Sequence, residues 1–558
     1  MRIHKFSELI QRELSTTTLK NTSVVIDGKL FFYNMYEESK LPFLFGSEAD
    51  KFVEVLKNRL KMFQDTNVKC YFVFKGGDLD MYKKKSLLAE SSSNCLNYEF
   101  SHKDLFVAPI LSIKCCMQVL DELGIAYTIC EFEAKKTCAV LAKKLNCPII
   151  KLKCQEFNLK YFQRKFSSQD EKVALFAVLI DEKLFPRGFF NHIFKLYLLF
   201  DINYVTKYQN ILNWLSKMTY EQALKNVLRL LKHATQINLL RQIEECIRFM
   251  KVDEECDNFI VDYLMNENKL DCIYKDPNWF KKGVACKRIA IPYINLYHHN
   301  ILIGSQTVED KNADNSIMLS LDIIKYAFNL LTNYTREEFE LITITGTIAV
   351  KAKDSVMRKT NIGHPFEIDC HEVKENTFFD TFLEAYSLNY VFESKLLQKH
   401  EILIMIALIY YTRKKNLVAV DVSQEAYCII VCYVMLGVVN TDIINKEDAD
   451  VAIQVTERFF GTSDSEVEAI FERKVVHPLV EFEHCLEHMN HLNRLCGGVV
   501  SSIKYHKTYN ATFVYKFLRS MRESAADKET FINELFICSP SVLKYIQKVI
   551  SAYNTLLC

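Results

Sequence analysis

Val24-Val25-Ile26-Asp27-Gly28 and Tyr71-Phe72-Val73-Phe74-Lys75-Gly76-Gly77 are two short apolar runs of one form. Each is β-prone, ends in a polar residue and is followed by glycine, the pattern of a strand buried on both faces of a parallel sheet. Such a strand delivers its last polar side chain to the carboxyl edge of the sheet, where α/β folds build their sites. The first run delivers a carboxylate, Asp27, and the second an ammonium, Lys75. Lys75 is therefore the residue to be explained.

Working outward, the segment Asp50 to Gln64 places Phe52, Val55, Leu56, Leu60 and Phe63 at helical spacing and leads into a strand over Tyr71–Phe74. A polar loop is expected from Asp78 to Ser101, holding Lys83, Lys84 and Lys85 and the triplet Ser91-Ser92-Ser93. A helix from Pro109 to Leu123 stops at Gly124, a strand over Ile125–Cys130 follows, then a helix from Glu133 to Leu145 and a strand over Pro148–Leu152. Strand and helix alternating with short joints predict a parallel sheet covered by helices. From about Asn203 the apolar spacing becomes heptad-like, as in Tyr220–His233, Leu239–Met250 and Ser320–Thr332, and strand signals are rare. A hairpin is expected around Gly346, and beyond Thr377 the chain reads as helical, with a polar break near Asn440–Ala449. The reading is thus an α/β N-terminal domain over 1–200, a helical middle region over 201–376 and a helical C-terminal region over 377–558.

Composition narrows the function classes. The chain has 558 residues, long enough for two or three domains, and 49% of them are hydrophobic. With 70 basic and 69 acidic residues the formal charge is +1, so no global field draws the protein to nucleic acid or membrane, and local patches must do so. Met1-Arg2-Ile3-His4-Lys5 lacks the apolar core of a signal peptide, and cysteines such as Cys115, Cys116, Cys138 and Cys428 lie on apolar faces. They read as buried reduced thiols of an intracellular protein, nuclear or cytoplasmic, neither secreted nor in a membrane. The longest uncharged apolar run, Ala426 to Val439, is short for a membrane span and reads as a core helix.

The phosphate-cradling G-x-x-x-x-G-K-[ST] and G-x-G-x-x-G motifs and the G-x-S-x-G elbow of serine hydrolases are absent, as is a paired C-x-x-C zinc arrangement. His484, His488 and His491 recur at i, i+4 and i+7, with Cys496 beyond, a stripe able to bind Zn²⁺. The glutamate is not in the H-E-x-x-H position, however, and Leu486, Met489 and Leu492 indicate an ordinary packed helix. Between Lys135 and Lys165 nine basic residues face a single acid, Glu156. Lys143 and Lys144 suit a solvated helix face. Lys151 and Lys153 end a strand and face the presumed site, where a basic edge suits phosphate.

The order of these motifs resembles that of asteroid-type proteins, distant relatives of the flap endonuclease/XPG nucleases with a PIN-like core. The matching residues are Met1-Arg2-Ile3-His4, Val25-Ile26-Asp27-Gly28, Val73-Phe74-Lys75-Gly76-Gly77, Glu133-Ala134-Lys135, Asn146-Cys147-Pro148-Ile149 and Cys154-Gln155-Glu156-Phe157. The resemblance continues through Trp214-Leu215-Ser216, Pro277-Asn278-Trp279, His484 to Asn493 and Tyr509-Asn510-Ala511-Thr512-Phe513. It implies a carboxylate cluster holding two Mg²⁺ or Mn²⁺ ions that hydrolyse a phosphodiester. Of that cluster this chain keeps Asp27, Glu133, Glu156 and Glu131, two residues before Glu133. Family acids fall instead on Lys75, Lys135, Cys154 and Lys183, with Asp181 or Glu182 as substitutes only if the turn shifts. The glycine that follows the family's initiator methionine is Arg2, and the G-x-G loop that grips duplex DNA has no clear counterpart around Arg187-Gly188.

Exchanging acids for lysines opposes metal, because like charges at short range repel by roughly 1–4 kcal/mol near a surface. No cofactor is expected unless catalysis persists, in which case Mg²⁺ or Mn²⁺ binds at Asp27, Glu133 and Glu156. The ammonium groups are expected to pair with Asp27, Glu131, Glu133 and Glu156 in place of metal. The leading expectation is a degenerate module, weak or dead in catalysis, that binds branched or flap DNA through Lys83, Lys84, Lys85, Lys151 and Lys153 or binds protein through its helical half. The alternatives are an active structure-specific endonuclease and a protein scaffold.

Overall fold

Alternation along β1 (Thr22–Asp27) and β2 (Val68–Phe74) sends successive side chains to opposite faces of one sheet, and helices cover both. A computed structural model describes residues 19–100, 106–150, 170–181, 184–186, 188–201, 203–250, 258–265, 279–352, 376–415 and 420–557. Val24, Ile26, Phe72 and Phe74 pack on one face, against helices Gly28–Ser39, Ala49–Asp65 and Ser112–Glu122. Val25, Tyr71 and Val73 pack on the other, against helices Ala134–Lys144 and Asn258–Met265. With β3 (Tyr127–Ile129) and β4 (Ile149–Ile150) the strand order is β3-β2-β1-β4, all parallel. Asp27 stands opposite Val73, so both central strands end at one edge.

Residues 81–96 differ from the expected loop. They form a helix, Met81–Leu96, started by Asp80, whose carboxylate accepts from the Lys83 backbone N–H at 3.0 Å. Its Met81, Leu88, Ser92 and Cys95 are buried. The serine triplet reads as loop in isolation, but Ser92 is small enough to pack and bonds to Gln306 at 2.7 Å. The middle region also holds a second sheet, β5 (Ile301–Ile303), β6 (Glu338–Thr343) and β7 (Gly346–Lys351). β5 runs parallel to β6, and β6 and β7 form the expected hairpin, with Thr343 opposite Gly346.

Hydrophobic contact crosses both positions at which the sequence was divided. Helix Asp170–Ile180 shares a separate core with Tyr204–Ser216 and with His233–Met250, so Phe194 and Val205 lie in one cluster. Tyr326 meets Phe382 with ring centroids 5.5 Å apart. The main core runs from β1 to Leu556 and centres on helix Arg473–Leu495, whose residues are mostly buried. The run from Ala426 to Val439 lies mostly inside helix Val420–Gly437 and is buried, and among the described residues no helix is long and apolar enough to cross a membrane.

A buried polar joint ties the sheet domain to the C-terminal helices. Glu48 and Asn510 form an antiparallel bridge, and Ser47 C=O accepts from Ala511 N–H at 3.0 Å. Glu483 accepts from the Ser47 N–H at 2.8 Å and its hydroxyl at 3.2 Å. Glu48 accepts from Thr512 N–H at 3.1 Å and Asn510 Nδ2 at 3.0 Å, and Asn510 Nδ2 also donates to Asp50 at 2.6 Å. Gly46 is required here: its φ is +127°, and a Cβ would stand 2.4 Å from Glu483 Oε1. Burial, then the nearby Asp50 charge, pushes the Glu48 carboxyl up to about 7.

Candidate functional site at the strand ends

Asp27 ends β1 and caps helix Gly28–Ser39, its Oδ1 accepting from Leu30 N–H at 3.1 Å. The next residue must be glycine, since a Cβ on Gly28 would lie 2.7 Å from the Phe74 ring of β2. After β2 the chain passes close under the β3 loop. Gly76 N–H donates to Phe132 C=O at 3.0 Å and Gly77 N–H to Glu131 C=O at 2.9 Å. That passage fixes where Lys75 points.

The Lys75 ammonium lies 2.7 Å from Asp78 Oδ1 and 2.8 Å from Glu133 Oε1. Lys84 Nζ approaches the other Asp78 oxygen at 3.6 Å. Burial by itself would lower the Lys75 pKa, but hydrogen bonds to Asp78 and Glu133 outweigh it and hold the group above its ordinary value. Burial would likewise raise Asp78, yet the Lys75 hydrogen bond and the Lys84 and Lys75 charges hold it below the usual carboxylate range. Lys29 is lowered, first by burial and then by the Lys84 and Lys75 charges, with Asp78 and Asp27 opposing.

The expected pairing of lysines with acids is met in one place and corrected in others. Lys75 does pair with Glu133. Asp27 instead serves as a helix cap, and Glu131 pairs with His298 Nε2 at 2.5 Å. Lys135 is exposed and forms no ion pair with another described residue. Asp181 is buried in the separate helical core, at the end of Asp170–Ile180. Lys151, Lys153, Cys154, Glu156, Glu182 and Lys183 lie outside the described residues. Of the triple lysine, Lys84 is held by Asp78 and Lys85 by Glu340 at 2.5 Å, whereas the Lys83 side chain is exposed.

Several participants carried no clear sequence signal. Asp78 follows the glycine pair and is i+3 from Lys75, a spacing that marks a neighbour only once the turn is known. Asn295, His298 and His299 come from helix Ile291–His299, more than 200 residues away. Asn295 accepts from Asp78 N–H at 2.8 Å, and His299 Nε2 meets Asp78 C=O at 3.0 Å. Helix Ile291–His299 thus braces the strand-end loop.

An XPG N-terminal domain model matches residues 1–93 and an asteroid N-terminal domain model matches residues 401–557. The resemblance to asteroid-type proteins holds. Single-strand DNA endonuclease ASTE1 of Homo sapiens is 27% identical over 135 residues, covering 24% of this chain and 20% of that protein. The Danio rerio protein of that name is 29% identical over 143 residues, 25% of this chain and 21% of its own length. Protein asteroid of Drosophila melanogaster is 24% identical over 151 residues, 26% of this chain and 17% of its own. The chain thus spans about a fifth of the length of the curated relatives it matches. Among solved structures, the catalytic core of Rad2 in complex with DNA substrate is 13% identical, with TM-score 0.25, covering 43% of this chain and 79% of that one. A second Rad2 complex gives 0.27, 13% identity and coverages of 47% and 86%. The XPG-type match thus takes in β1 and β2 of the parallel sheet, and the asteroid match falls on the helical C-terminal part of this asteroid-like chain.

Proposed function

We propose that this asteroid-like chain is a nucleic-acid-binding module whose strand-end site has exchanged metal for an internal ion-pair network, leaving little or no catalysis. The observation that carries this reading is the Lys75 ammonium, 2.7 and 2.8 Å from the carboxylates of Asp78 and Glu133. A paired divalent site of the XPG type needs an oxygen cluster free to neutralise about four positive charges. Asp27 is engaged as a cap, and Asp78 and Glu133 already share a cation, so these residues do not fit that metal pair. No hydrolytic step is derived through them.

Two surfaces support binding. Lys83 and Tyr82, the latter 89% exposed, stand on the first turn of helix Met81–Leu96, which begins beside Asp78. A groove of about 600 Å³ separates that helix from the β6–β7 hairpin, with Lys85, Ser92, Asn97, Lys311 and Thr345 among its lining residues. Exposed lysine gives phosphate attraction and an exposed tyrosine offers a face for a base to stack on. In this reading residues 1–200 carry most of the binding surface, 201–376 add the hairpin side of the groove, and 377–558 brace them and present protein-binding surface.

Calorimetric titration of the full chain with Mg²⁺ and Mn²⁺ is expected to show no micromolar binding. A labelled single strand and a 5′-flap duplex are expected to bind with steep salt dependence and to remain uncut. Metal-dependent cleavage that disappears in Asp27→Ala would overturn the proposal and establish an endonuclease, the activity named for ASTE1. Absence of binding at low salt would leave a protein scaffold.

A further inference from the structure

Helix Arg473–Leu495 treats its buried amides and its buried imidazoles differently. Asn490 Nδ2 donates to Tyr505 Oη at 2.9 Å and its Oδ1 accepts from Ile503 N–H at 3.2 Å. Asn493 accepts from Val500 N–H at 3.1 Å and donates to Val500 C=O at 2.9 Å. By contrast, Nδ1 of His477, His484 and His491 is buried with no hydrogen-bond partner among the described residues. Buried polar atoms are ordinarily satisfied, so an imidazole nitrogen left bare within a core points to a missing partner.

The neighbours of His484 indicate what that partner is. Among the described residues, His484, Glu487 and His488 each offer a ligand atom, and these atoms all lie within 4.8 Å of one another. All three residues are at most 2% exposed. Glu487 divides its oxygens: Oε1 meets Lys114 Nζ at 2.5 Å, while Oε2 stands 3.9 Å from His484 Nδ1. His488 Nδ1 meets the Tyr293 hydroxyl at 3.3 Å, an outer bond of the kind that fixes a ligand ring's tautomer and orientation. Lys114 is itself anchored on Ile110 C=O at 2.9 Å.

We propose that His484, Glu487 and His488 form a closed structural site for a zinc-class divalent ion in the C-terminal core. The sequence His484-Cys485-Leu486-Glu487-His488 is H-x-x-E-H, with one helix face carrying both imidazoles and the carboxylate. Two imidazole nitrogens and one carboxylate oxygen are a donor set that zinc takes with a fourth ligand, and burial is what closes the site here. Bonds near 2.0–2.1 Å would hold ligand atoms about 3.3 Å apart, so the 3.9 Å pair closes by about 0.6 Å, and no pair of the three, all within 4.8 Å, has to close by more than about 1.5 Å. Water completes the shell as the fourth ligand. Burial separates this site from hydrolytic use, since no substrate reaches it.

Full-length protein purified without chelator or added metal is analysed for zinc by mass spectrometry. About one equivalent is expected, and the double variant His484→Gln/His488→Gln is expected to lose it. Because the 19 cysteines offer rival ligands, cobalt exchange supplies the second readout: visible bands of tetrahedral cobalt without a thiolate charge-transfer band in the near ultraviolet. Should the variant fail to fold, the unaltered protein decides, with a Tm that falls on prolonged exposure to chelator and recovers with Zn²⁺. A metal-free protein whose Tm ignores both chelator and Zn²⁺ overturns the proposal. Zinc retained by the double variant, or a cobalt spectrum with a thiolate band, overturns it equally.

Discussion

The strand-end network and the joint at Glu48 and Asn510 are both built from hydrogen-bonded carboxylates, yet they respond to solvent in opposite ways. At the strand ends, Lys75 and Asp78 are about a quarter and a fifth exposed and Glu133 about half. Water screens these charges, so the network shapes a surface without holding the fold together. At the joint, Glu48, Glu483 and Asn510 are at most 1% exposed and their partners are mostly backbone N–H groups and an amide. There each lost partner strands a polar atom in the core. The pH signs also differ. Asp78 is held below its ordinary range, so its contribution is present above that range and fades in acid. Glu48 is held above it, so its contribution is complete below the usual carboxylate range and lost as pH rises through about 7.

The sharpest way to break this contrast is Asn510→Ala. It removes the donor to Glu48 and Asp50 together with the cap on Phe513 N–H at 2.8 Å, and is expected to cost on the order of 2–4 kcal/mol. Chemical denaturation measures it, and a loss below 1 kcal/mol would show that the joint is not structural. Next, stability of the unaltered protein is expected to fall as pH rises from 4.5 to about 8: Glu48, pushed up to about 7, contributes up to roughly 3 kcal/mol at 1.36 kcal/mol per unit, and Glu483, pushed up to about 8, acts with the same sign, so Glu48→Gln reduces the slope without abolishing it. An unchanged slope in the variant would assign the titration elsewhere.

The strand-end network is probed by smaller effects. Lys75→Ala is expected to change stability by less than about 1 kcal/mol, since its partners remain hydrated. Lys75→Asp, placing a third acid beside Asp78 and Glu133, is expected to give a Tm that rises with Mn²⁺ where the parent's does not, measured by thermal shift. An equal metal response in both proteins would mean that the lysine does not exclude metal. Smallest is Lys83→Ala, expected to weaken single-strand binding two- to threefold and to lower the salt slope by about 1. Fluorescence anisotropy at several salt concentrations reads both quantities.

Particular residues show where sequence reasoning reaches. Asp27 and Lys75 were legible as strand-end groups because a two-residue period and a terminal glycine are local properties. The resemblance set the lysines against Asp27, Glu131, Glu133 and Glu156 without choosing partners, and the fold pairs Lys75 with Glu133. Asp78 was not legible as the main partner, because a turn of three residues had to be folded first. The helix Met81–Leu96 escaped because serines favour loops until Gln306 and a buried face stabilise them. His484 read as part of a packed helix, with a zinc-binding histidine stripe as the lesser alternative. Its bare Nδ1 and the approach of Glu487 became visible only with packing in hand.

What the sequence alone determined is the kind of protein: a parallel α/β sheet followed by helices, with a lysine delivered at the end of the second strand. Periodicity and terminal polar residues act over a few positions, so they survive in a linear reading. The tertiary structure decided which charges meet. Helix Ile291–His299 braces a loop of the first domain, and Glu483 and Asn510 clamp the segment at Gly46 to Glu48 across more than 400 residues of chain. Those contacts depend on burial and on the path of the whole backbone, and no local spacing encodes them.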